Sequence, residues 1–555
     1  MAGKKIYKTP SAYDYPLILK HLLHTPERFA RDQEIVYGEV KRLTYAEFFE
    51  RLGRLANALK HIGARPGSVI GVMDWDSHRY LECFFAIPMM GAILHTVNVR
   101  LAPEQIAYTI NHAEDEILFV HRDFVPLIKA IRSRLKTVRT FVFLSDDPDT
   151  SVPGEFTGEY EGMLETSPSE YDFPDFDENT QATMFYTTAT TGLPKGVYFS
   201  HRQLVLHTLA VAAGSNGMKP GGKGLAADDV YMPITPMFHV HAWGLPYVAT
   251  MLGIKQVYPG RYEPEKLLKL IEKEGVTFSH CVPTILHMLL NHPLSRKINL
   301  SKWRVNVGGA PLSEALCREA LDRGIDVYSG YGMSETCPVL TLALLRPDMV
   351  SWDKDLQVEV RTKTGIPIPL VDLRIADPEG RFLPHDGKSV GEIVVRSPWL
   401  TQGYFKDKEK SEELWSGGWL HTGDVGYIDR RGYLKITDRI KDVIKSGGEW
   451  ISSLELENII LKHEAVDEAA AVGIPDEKWG ERPVVLVVLK QEYVGKVSED
   501  ELIAFYRNLA HKGTIPKWAM PDRILFVNSL PKTSVGKLDK KLIRKQVLST
   551  NAAKE

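Results

Sequence analysis

The sequence has little that would tie it to a membrane, to nucleic acid or to a disulfide framework. No apolar run approaches the ~20 residues of a membrane-spanning helix, and no hydrophobic signal core follows the first residues. Lys and Arg number 68 against 71 Asp and Glu, so the chain has no charge excess with which to attract a polyanion. Four scattered cysteines form no CxxC pair. We therefore expect no membrane anchor, no nucleic-acid partner, and reduced thiols in a cytoplasmic protein.

What is present is a long chain with alternating secondary-structure patterns. At 555 residues, two or more domains are expected. Thr44 to Glu47 has the form of a capping box, and the apolar residues that follow recur at helical spacing until Gly63. Short apolar strands are predicted at 69–73, 117–120 and 140–144, with helical patterns between them. Strands that alternate with helices predict an α/β fold built on helix-covered sheets.

The pattern changes after about residue 360. Short strands separated by Asp and Gly turns predict a β-rich subdomain over 360–438. A second alternating region then predicts a small α+β domain over 439–555, and we place the boundary between 438 and 439. Two other segments have no predicted element: an acidic connector at 171–178, and a glycine-rich segment at 214–224, which we expect to be a mobile surface loop.

The most informative segment is Tyr186-Thr-Thr-Ala-Thr-Thr-Gly-Leu-Pro-Lys-Gly196. Small hydroxylated residues and glycines let backbone N–H groups approach phosphate oxygens closely, and Lys195 adds a positive charge. The spacing is not that of a Walker A loop. A Thr, Gly and Pro cluster is also common in ordinary loops. We interpret this one as a polyphosphate-binding loop.

Further segments follow in the order Pro236–Gly244, Val307–Leu312, Tyr328–Thr336, Trp419–Asp424, Asp438–Trp450 and Pro531–Lys537. Together with the phosphate loop they resemble the adenylate-forming superfamily, which includes acyl-CoA synthetases, luciferases and peptide-synthetase adenylation domains. The resemblance is strongest to bacterial fatty-acyl-CoA synthetases. Two positions depart from the pattern: Ala189 stands where the family usually has Gly, and Ser334 where it more often has Thr. Ala at a left-handed position would cost roughly 1 kcal/mol.

The resemblance implies ATP and CoA as substrates and Mg²⁺ as cofactor. Tyr331 would stack on adenine, Asp424 would accept from the ribose hydroxyls, and Trp243 would gate the acyl tunnel. The residues implied to contact the nucleotide are Thr187, Thr188, Thr190, Thr191, Gly192, Lys195, Gly309, Ala310, Pro311, Ser329, Gly330, Tyr331, Gly332, Ser334, Asp424, Arg439, Lys441, Lys445, Trp450 and Lys537. Those implied for the acyl and thioester sites are His239, Val240, Trp243, Gly309, Gly447 and Gly448. Those implied for the metal are Thr187 and Glu335, whose oxygen suits a hard cation.

The implied chemistry has two steps. The acid first attacks the α-phosphorus of ATP to give acyl-AMP and pyrophosphate, and the CoA thiol then takes the acyl group with release of AMP. The catalytic residues implied are Lys195, His239, Glu335, Lys441 and Lys537, with Lys441 as the hinge of the small domain. We expect a medium- to long-chain fatty acid and a homodimer.

Several alternatives stay open. One alternative substrate is a short, hydroxylated or sulfur-containing acid. A second alternative changes the acceptor: the acyl group passes to a carrier protein, as in a fatty-acyl-AMP ligase, or the intermediate reacts with oxygen, as in a luciferase. A third is an inactive nucleotide- or lipid-binding homologue, although the lysines that face phosphate argue against a pure binder. A fourth is a kinase, which would release ADP.

Overall fold

The computed structural model describes residues 4–147, 150–187, 193–218, 224–446, 449–511, 515, 517–531 and 538–552. The chain forms two compact units. The first comprises Met1–Asp372 and Arg396–Trp415, and the second Leu373–Val395 and Ser416–Glu555. Within the described ranges, every helix is too short or too polar to cross a membrane.

The first unit contains two large sheets with helices between their strands. Its strands are β1 (Glu34–Tyr37), β2 (Lys41–Thr44), β3 (Val69–Met73), β4 (Ile93–Thr96), β5 (Ile117–His121), β6 (Thr140–Leu144), β7 (Gly158–Glu159), β8 (Gln181–Tyr186), β9 (Gly196–Ser200), β10 (Val230–Ile234), β11 (Lys255–Tyr258), β12 (Phe278–Cys281), β13 (Arg304–Val307), β14 (Asp326–Gly332), β15 (Val339–Leu342) and β16 (Ile366–Pro367). Its helices are His24–Phe29, Tyr45–His61, His78–Met89, Pro103–Ala113, Val125–Ile131, Tyr160–Glu165, His201–Gly217, Leu245–Met251, Pro264–Glu274, Pro283–Asn291, Glu314–Asp322, Lys354–Arg361 and Lys408–Leu414.

One sheet has seven strands in the order β7-β6-β5-β3-β4-β8-β9, and the other has nine in the order β16-β15-β14-β13-β12-β10-β11-β1-β2. Pairing is parallel from β7 to β8, and also from β14 through β10 and β11 to β1. β9, β2, β15 and β16 are antiparallel additions at the edges. Parallel strands buried on both faces read as continuous apolar runs, as in β3, and ligands bind beyond their carboxyl ends.

The second unit contains two smaller sheets. Its strands are β17 (Asp372–Ala376), β18 (Gly391–Arg396), β19 (Leu420–Ile428), β20 (Leu434–Arg439), β21 (Ile444–Ser446), β22 (Glu449–Ile451), β23 (Val466–Asp476), β24 (Gly480–Leu489) and β25 (Arg523–Phe526). Strands β17 to β20 form a four-stranded sheet, and the remaining strands form a five-stranded one. Its helices are Ser453–Ile460, Glu499–His511 and Lys540–Ala552.

Most sequence predictions of secondary structure are confirmed. The capping box at Thr44 forms in full, with the helix starting at Tyr45, and the helix Pro264–Glu274 ends at a left-handed Gly275. The glycine-rich loop prediction is wrong for its first part, because the helix His201–Gly217 runs through Gly214. A side chain at Gly214 would approach Ile368 to 3.0 Å, so glycine here allows the helix to pack closely. Residues 219–223 lie outside the described residues.

Strands β17 to β20 of the β-rich segment form one sheet, and residues 373–395 and 416–438 are grouped with the C-terminal residues in the second unit, whereas 396–415 belong to the first. Asp438 accounts for part of this grouping, because its buried carboxylate accepts hydrogen bonds from the N–H and the hydroxyl of Ser453, at the start of the next helix. The boundary predicted between 438 and 439 marks where the C-terminal domain is expected to move relative to the preceding residues. That boundary stays a prediction.

Candidate active site

The predicted phosphate loop connects the antiparallel strands β8 and β9. The Thr187 N–H donates to the Lys195 carbonyl at 3.0 Å, and the Lys195 N–H donates to Thr187 Oγ1 at 3.2 Å. These bonds close the base of the loop and hold both residues in fixed positions. Thr188, Thr190, Thr191 and Gly192, all assigned to the nucleotide from the sequence, lie outside the described residues.

A second segment of the first unit joins Lys195 to Glu335. The Lys195 ammonium lies 4.3 Å from the centre of the Tyr404 ring, a cation–π contact. The Tyr404 hydroxyl donates to Glu335 Oε1 at 2.7 Å, and Glu335 is buried. Burial, followed by the charge of Glu335, raises the pKa of Tyr404 and keeps its hydroxyl protonated as a donor. The structure thus brings together the predicted cation of the loop and the predicted metal ligand.

Tyr404 is the residue whose role the sequence did not predict. In the sequence, Gly403 and Tyr404 match a further pattern of the family that we interpret as structural. The signal was the aromatic residue next to a glycine, but nothing in the sequence shows that the ring reaches both Lys195 and Glu335. Phe405 next to it donates its N–H to the Gly196 carbonyl at 2.8 Å, which fixes this segment against β9.

The predicted adenine-binding segments lie at the ends of β13 and β14. Gly309, Ala310 and Pro311 form an exposed turn directly after β13, and Gly309 has φ of +75°. Ser329 to Gly332 form the last part of β14, and Ser334 follows in the turn that contains Glu335. Because β13 and β14 are parallel neighbours, their carboxyl ends present these residues at one edge of the sheet.

The predicted gate segment follows His239 and has an unusual backbone. Val240, His241, Ala242 and Trp243 have φ between 47° and 60°, and Gly244 has φ of 74°. Left-handed backbone costs roughly 1–2 kcal/mol per non-glycine residue, and such strain is concentrated at functional sites. The start of the turn is held by the segment after β3 and by β4, because Asp76 accepts from the Met237 N–H at 2.8 Å and Thr96 donates to the Phe238 carbonyl.

Two buried side chains near this turn, those of His241 and Asp76, were not assigned to the site from the sequence. His241 lies among Phe84, Phe185 and Tyr247. Neither of its ring nitrogens has a hydrogen-bond partner among the described residues. Burial lowers its pKa to about 3, so it is neutral. Asp76 is also buried, and burial raises its pKa to about 7.

In the second unit, the structure brings Asp424 and Arg439 together. They are directly paired across β19 and β20, and Arg439 Nε lies 3.0 Å from Asp424 Oδ1. Asp424 is buried whereas the Arg439 side chain is 57% exposed. The pair therefore presents a fixed carboxylate beside an accessible guanidinium, which suits a ribose and its phosphate.

The predicted hinge residue Lys441 lies in an exposed turn between β20 and β21. The Asp442 and Val443 N–H groups donate to the Arg439 carbonyl, and the Ile440 N–H donates to the Gly423 carbonyl. Lys445 and Trp450 are directly paired across β21 and β22, which places them side by side. Gly447, Gly448 and Lys537 lie outside the described residues.

Comparison with known proteins identifies the family. The model of the AMP-binding enzyme family matches residues 22–405, and that of the AMP-binding enzyme C-terminal domain matches residues 455–537. The chain belongs to the AMP-binding enzymes. It is 41% identical to a long-chain-fatty-acid–CoA ligase of Thermus thermophilus, over 98% of each chain. It is 40% identical to a 3-methylmercaptopropionyl-CoA ligase of Ruegeria lacuscaerulensis, over 95% of this chain and 97% of the relative.

Among solved structures, ATP-bound MatB from Rhodopseudomonas palustris superposes with a TM-score of 0.78 at 26% identity, over 96% of this chain and 99% of that one. The chain is an ATP-dependent, AMP-forming acyl-CoA ligase that uses ATP, Mg²⁺ and CoA.

The donor set near the phosphate loop fits Mg²⁺. Among the described residues no group of three acidic, His or Cys side chains could hold a metal by itself. Mg²⁺ in nucleotide sites usually takes one or two carboxylates and completes its shell with phosphates and water. The Glu335 carboxylate can supply the protein oxygen, and Thr187 Oγ1 keeps a second lone pair beyond the one used by Lys195.

Proposed function

We propose that the enzyme activates a medium- to long-chain fatty acid as acyl-AMP and transfers the acyl group to CoA. The observation that carries the site assignment is the Lys195–Tyr404–Glu335 arrangement at the base of the phosphate loop. It places a cation and a buried carboxylate on one aromatic side chain. The long-chain relative at 41% identity supports the choice of acid.

The first step requires two anions to meet. Lys195 and Lys537 offset the repulsion between the acyl carboxylate and the triphosphate. Mg²⁺, which Glu335 and Thr187 would hold, would supply further positive charge there. Removing one preorganised charge of this type typically costs ~3–4 kcal/mol of transition-state stabilisation. His239 lies beside the acyl carboxylate, and Trp243 controls entry to the acyl site. The residues assigned from the sequence to the nucleotide bind ATP in the same roles.

In the second step, a different set of protein groups must contact the acyl-AMP intermediate. The domain that begins at residue 439 turns about Lys441, which removes Lys537 and brings Gly447 and Gly448 to the thioester site. Glycines there leave room for the pantetheine arm of CoA. A turn that joins two strands, as at Lys441, can absorb such a change in a few backbone angles.

The test is a panel of carboxylic acids assayed for pyrophosphate with and without CoA. We expect pyrophosphate and AMP with fatty acids, and acyl-CoA only when CoA is supplied. A preference for short or sulfur-containing acids would contradict the fatty acid and favour a substrate like that named for the Ruegeria lacuscaerulensis ligase. Release of acyl-AMP without use of CoA would favour a carrier-protein acceptor. ATP binding without turnover would favour an inactive homologue.

Assembly and location are part of the same proposal. We expect a homodimer in the cytoplasm, where the four buried free cysteines stay reduced. Light scattering coupled to size-exclusion chromatography measures the mass directly. A monomeric mass that does not change with concentration contradicts the dimer.

A further inference from the structure

Asp424, which we assign to the ribose, lies in an irregular part of β19. One residue of β18, Ile393, lies opposite three residues of β19, 422–424, so the strand bulges there and Asp424 is the last residue of the bulge. Bulges redirect side chains and are over-represented next to active sites. Because a bulge interrupts the ladder, its backbone groups must be held by other partners.

The side chain of Glu392, next to Ile393 on β18, holds the middle of this bulge. Its Oε1 accepts from the Gly423 N–H at 3.2 Å, and Gly423 has φ of 69°, a left-handed value that glycine adopts without strain. The Gly423 carbonyl accepts from the Ile440 N–H at 2.9 Å. The backbone directly before Asp424 is therefore fixed through both polar groups of Gly423.

The Glu392 carboxylate is itself held by His421, at the start of the bulge. His421 Nδ1 lies 2.8 Å from Glu392 Oε2, and His421 Nε2 lies 3.2 Å from the Ser416 carbonyl oxygen. A carboxylate and a carbonyl oxygen only accept hydrogen bonds, so both ring nitrogens donate and the ring is positively charged. The bond to Glu392 accordingly raises the pKa of His421 above its ordinary value. Hydrogen bonds between charged groups are roughly twice as strong as neutral ones, so Glu392 has a fixed orientation.

We infer that Glu392 and His421 are positioning residues for the nucleotide, which act through Asp424 on the recognition of the ribose. The inference rests on the proposed function. Asp424 would accept from the ribose hydroxyls, and such bonds weaken steeply when the acceptor is misaligned. Arg439 fixes one oxygen of this carboxylate, with its Nε 3.0 Å from Oδ1. The Glu392–His421 pair fixes the backbone from which the carboxylate projects, and without the pair that backbone loses its side-chain partner at Gly423.

The experiment measures the ratio of kcat/KM for ATP to kcat/KM for 2′-deoxyATP, with pyrophosphate release as the readout. The ratio reports on the ribose 2′-hydroxyl, and a general loss of active enzyme does not change it, because both nucleotides are assayed on one preparation. Glu392→Gln keeps the size of the side chain and removes its charge. We expect this variant to lower the ratio about tenfold, because a site that bonds a substrate hydroxyl discriminates against the analogue that lacks it. Asp424→Ala should lower the ratio at least as much.

A double variant tests whether Glu392 acts through Asp424. If it does, Glu392→Gln changes the ratio no further once Asp424→Ala is present, because residues that act as a unit have non-additive effects. The matched control is Glu501→Gln. Glu501 also faces a histidine of the second unit, with its Oε1 3.9 Å from His463 Nε2, and is not assigned to substrate. This control should leave the ratio unchanged.

An unchanged ratio in a folded Glu392→Gln enzyme overturns the inference and leaves the proposed function intact. An unchanged ratio in Asp424→Ala also overturns it, because there would be no ribose contact to position. Absence of pyrophosphate with every acid and the unmodified enzyme would instead remove the proposed function. If Glu392→Gln does not fold, His421→Gln replaces it with the same expected result, since this side chain is 30% exposed. Failure of both variants to fold would show that the pair serves stability, which contradicts the inference.

Discussion

At the scale of single residues, the Tyr404 hydroxyl holds the carboxylate of Glu335, which we propose as a ligand of Mg²⁺. Its bond to Glu335 Oε1 is 2.7 Å long and involves a carboxylate, and hydrogen bonds to charged groups contribute about 1.5–3 kcal/mol. In Tyr404→Phe the ring under Lys195 remains, but Glu335 loses its donor. We expect kcat/KM for pyrophosphate release to fall about tenfold to a hundredfold, with a higher Mg²⁺ concentration needed for half-maximal rate.

The control for this variant is Tyr198→Phe, because Tyr198 lies on β9 and packs against Phe405. It should leave the Mg²⁺ titration unchanged. A Tyr404→Phe enzyme with the Mg²⁺ dependence of the unmodified protein would show that the hydroxyl does not position Glu335.

Asp76 gives a residue-scale prediction about pH. Burial holds its pKa at about 7 in the folded protein, whereas an unfolded Asp has a pKa near ~3.9. The folded state therefore binds the proton more tightly, so this stabilising contribution is complete below pH ~4 and is lost as the pH rises to ~7. In Asp76→Asn the side chain does not titrate and can still accept from the Met237 N–H.

We expect the melting temperature of Asp76→Asn, relative to the unmodified protein, to rise between pH ~4 and ~7 and to be constant above that. Thermal unfolding followed by circular dichroism at a series of pH values measures it. The control is Asp172→Asn in the exposed connector. Parallel curves for Asp76→Asn and the unmodified protein across this range would mean that Asp76 is ionised throughout.

At the scale of elements, periodicity and end signals predicted most helices and strands. The helix Tyr45–His61 begins at the predicted capping box, and the strand β3 has the predicted bounds, because each has an apolar pattern and a clear terminal signal. The left-handed turn at 240–243 was not predictable, since left-handed backbone is expected at Gly or Asn and not at Val or Trp. Contacts from distant segments, such as Tyr404 to Glu335, have no local signature either.

The element to which we assign a mechanical role is the turn at Lys441. Lys441→Pro fixes φ at this position and restricts Ile440 before it. We expect pyrophosphate release to be retained and acyl-CoA formation to fall at least about a hundredfold, so that acyl-AMP accumulates. Rapid-quench analysis of the two half-reactions measures this. Lys441→Ala is the matched control, because it removes the side chain, which is also assigned to the nucleotide, and keeps the backbone free; it should leave the ratio of acyl-CoA formation to pyrophosphate release unchanged. Normal CoA transfer in Lys441→Pro would remove the hinge assignment.

At the scale of the whole molecule, the two half-reactions are expected to depend on different faces of the C-terminal domain. We assign Lys537 to the first step only, because its charge would offset the repulsion between carboxylate and α-phosphate, whereas the thiol attacks an acyl group that is already activated. Lys537→Ala should therefore reduce acyl-AMP formation by about two to three orders of magnitude. It should leave acyl-CoA formation from supplied acyl-AMP nearly unchanged.

The comparison of Lys537→Ala with Lys441→Pro separates a moving domain from a fixed one. If the domain rotates between the two steps, the variants lose opposite half-reactions. Lys537→Ala lacks a group needed before the rotation, whereas Lys441→Pro cannot rotate the domain. Lys540→Ala is a structural control, because Lys540 is paired with Glu457 inside the second unit and is not assigned to substrate. Equal loss of both half-reactions in Lys537→Ala would mean that one arrangement of the domain serves both steps, and the hinge mechanism would then have to be abandoned.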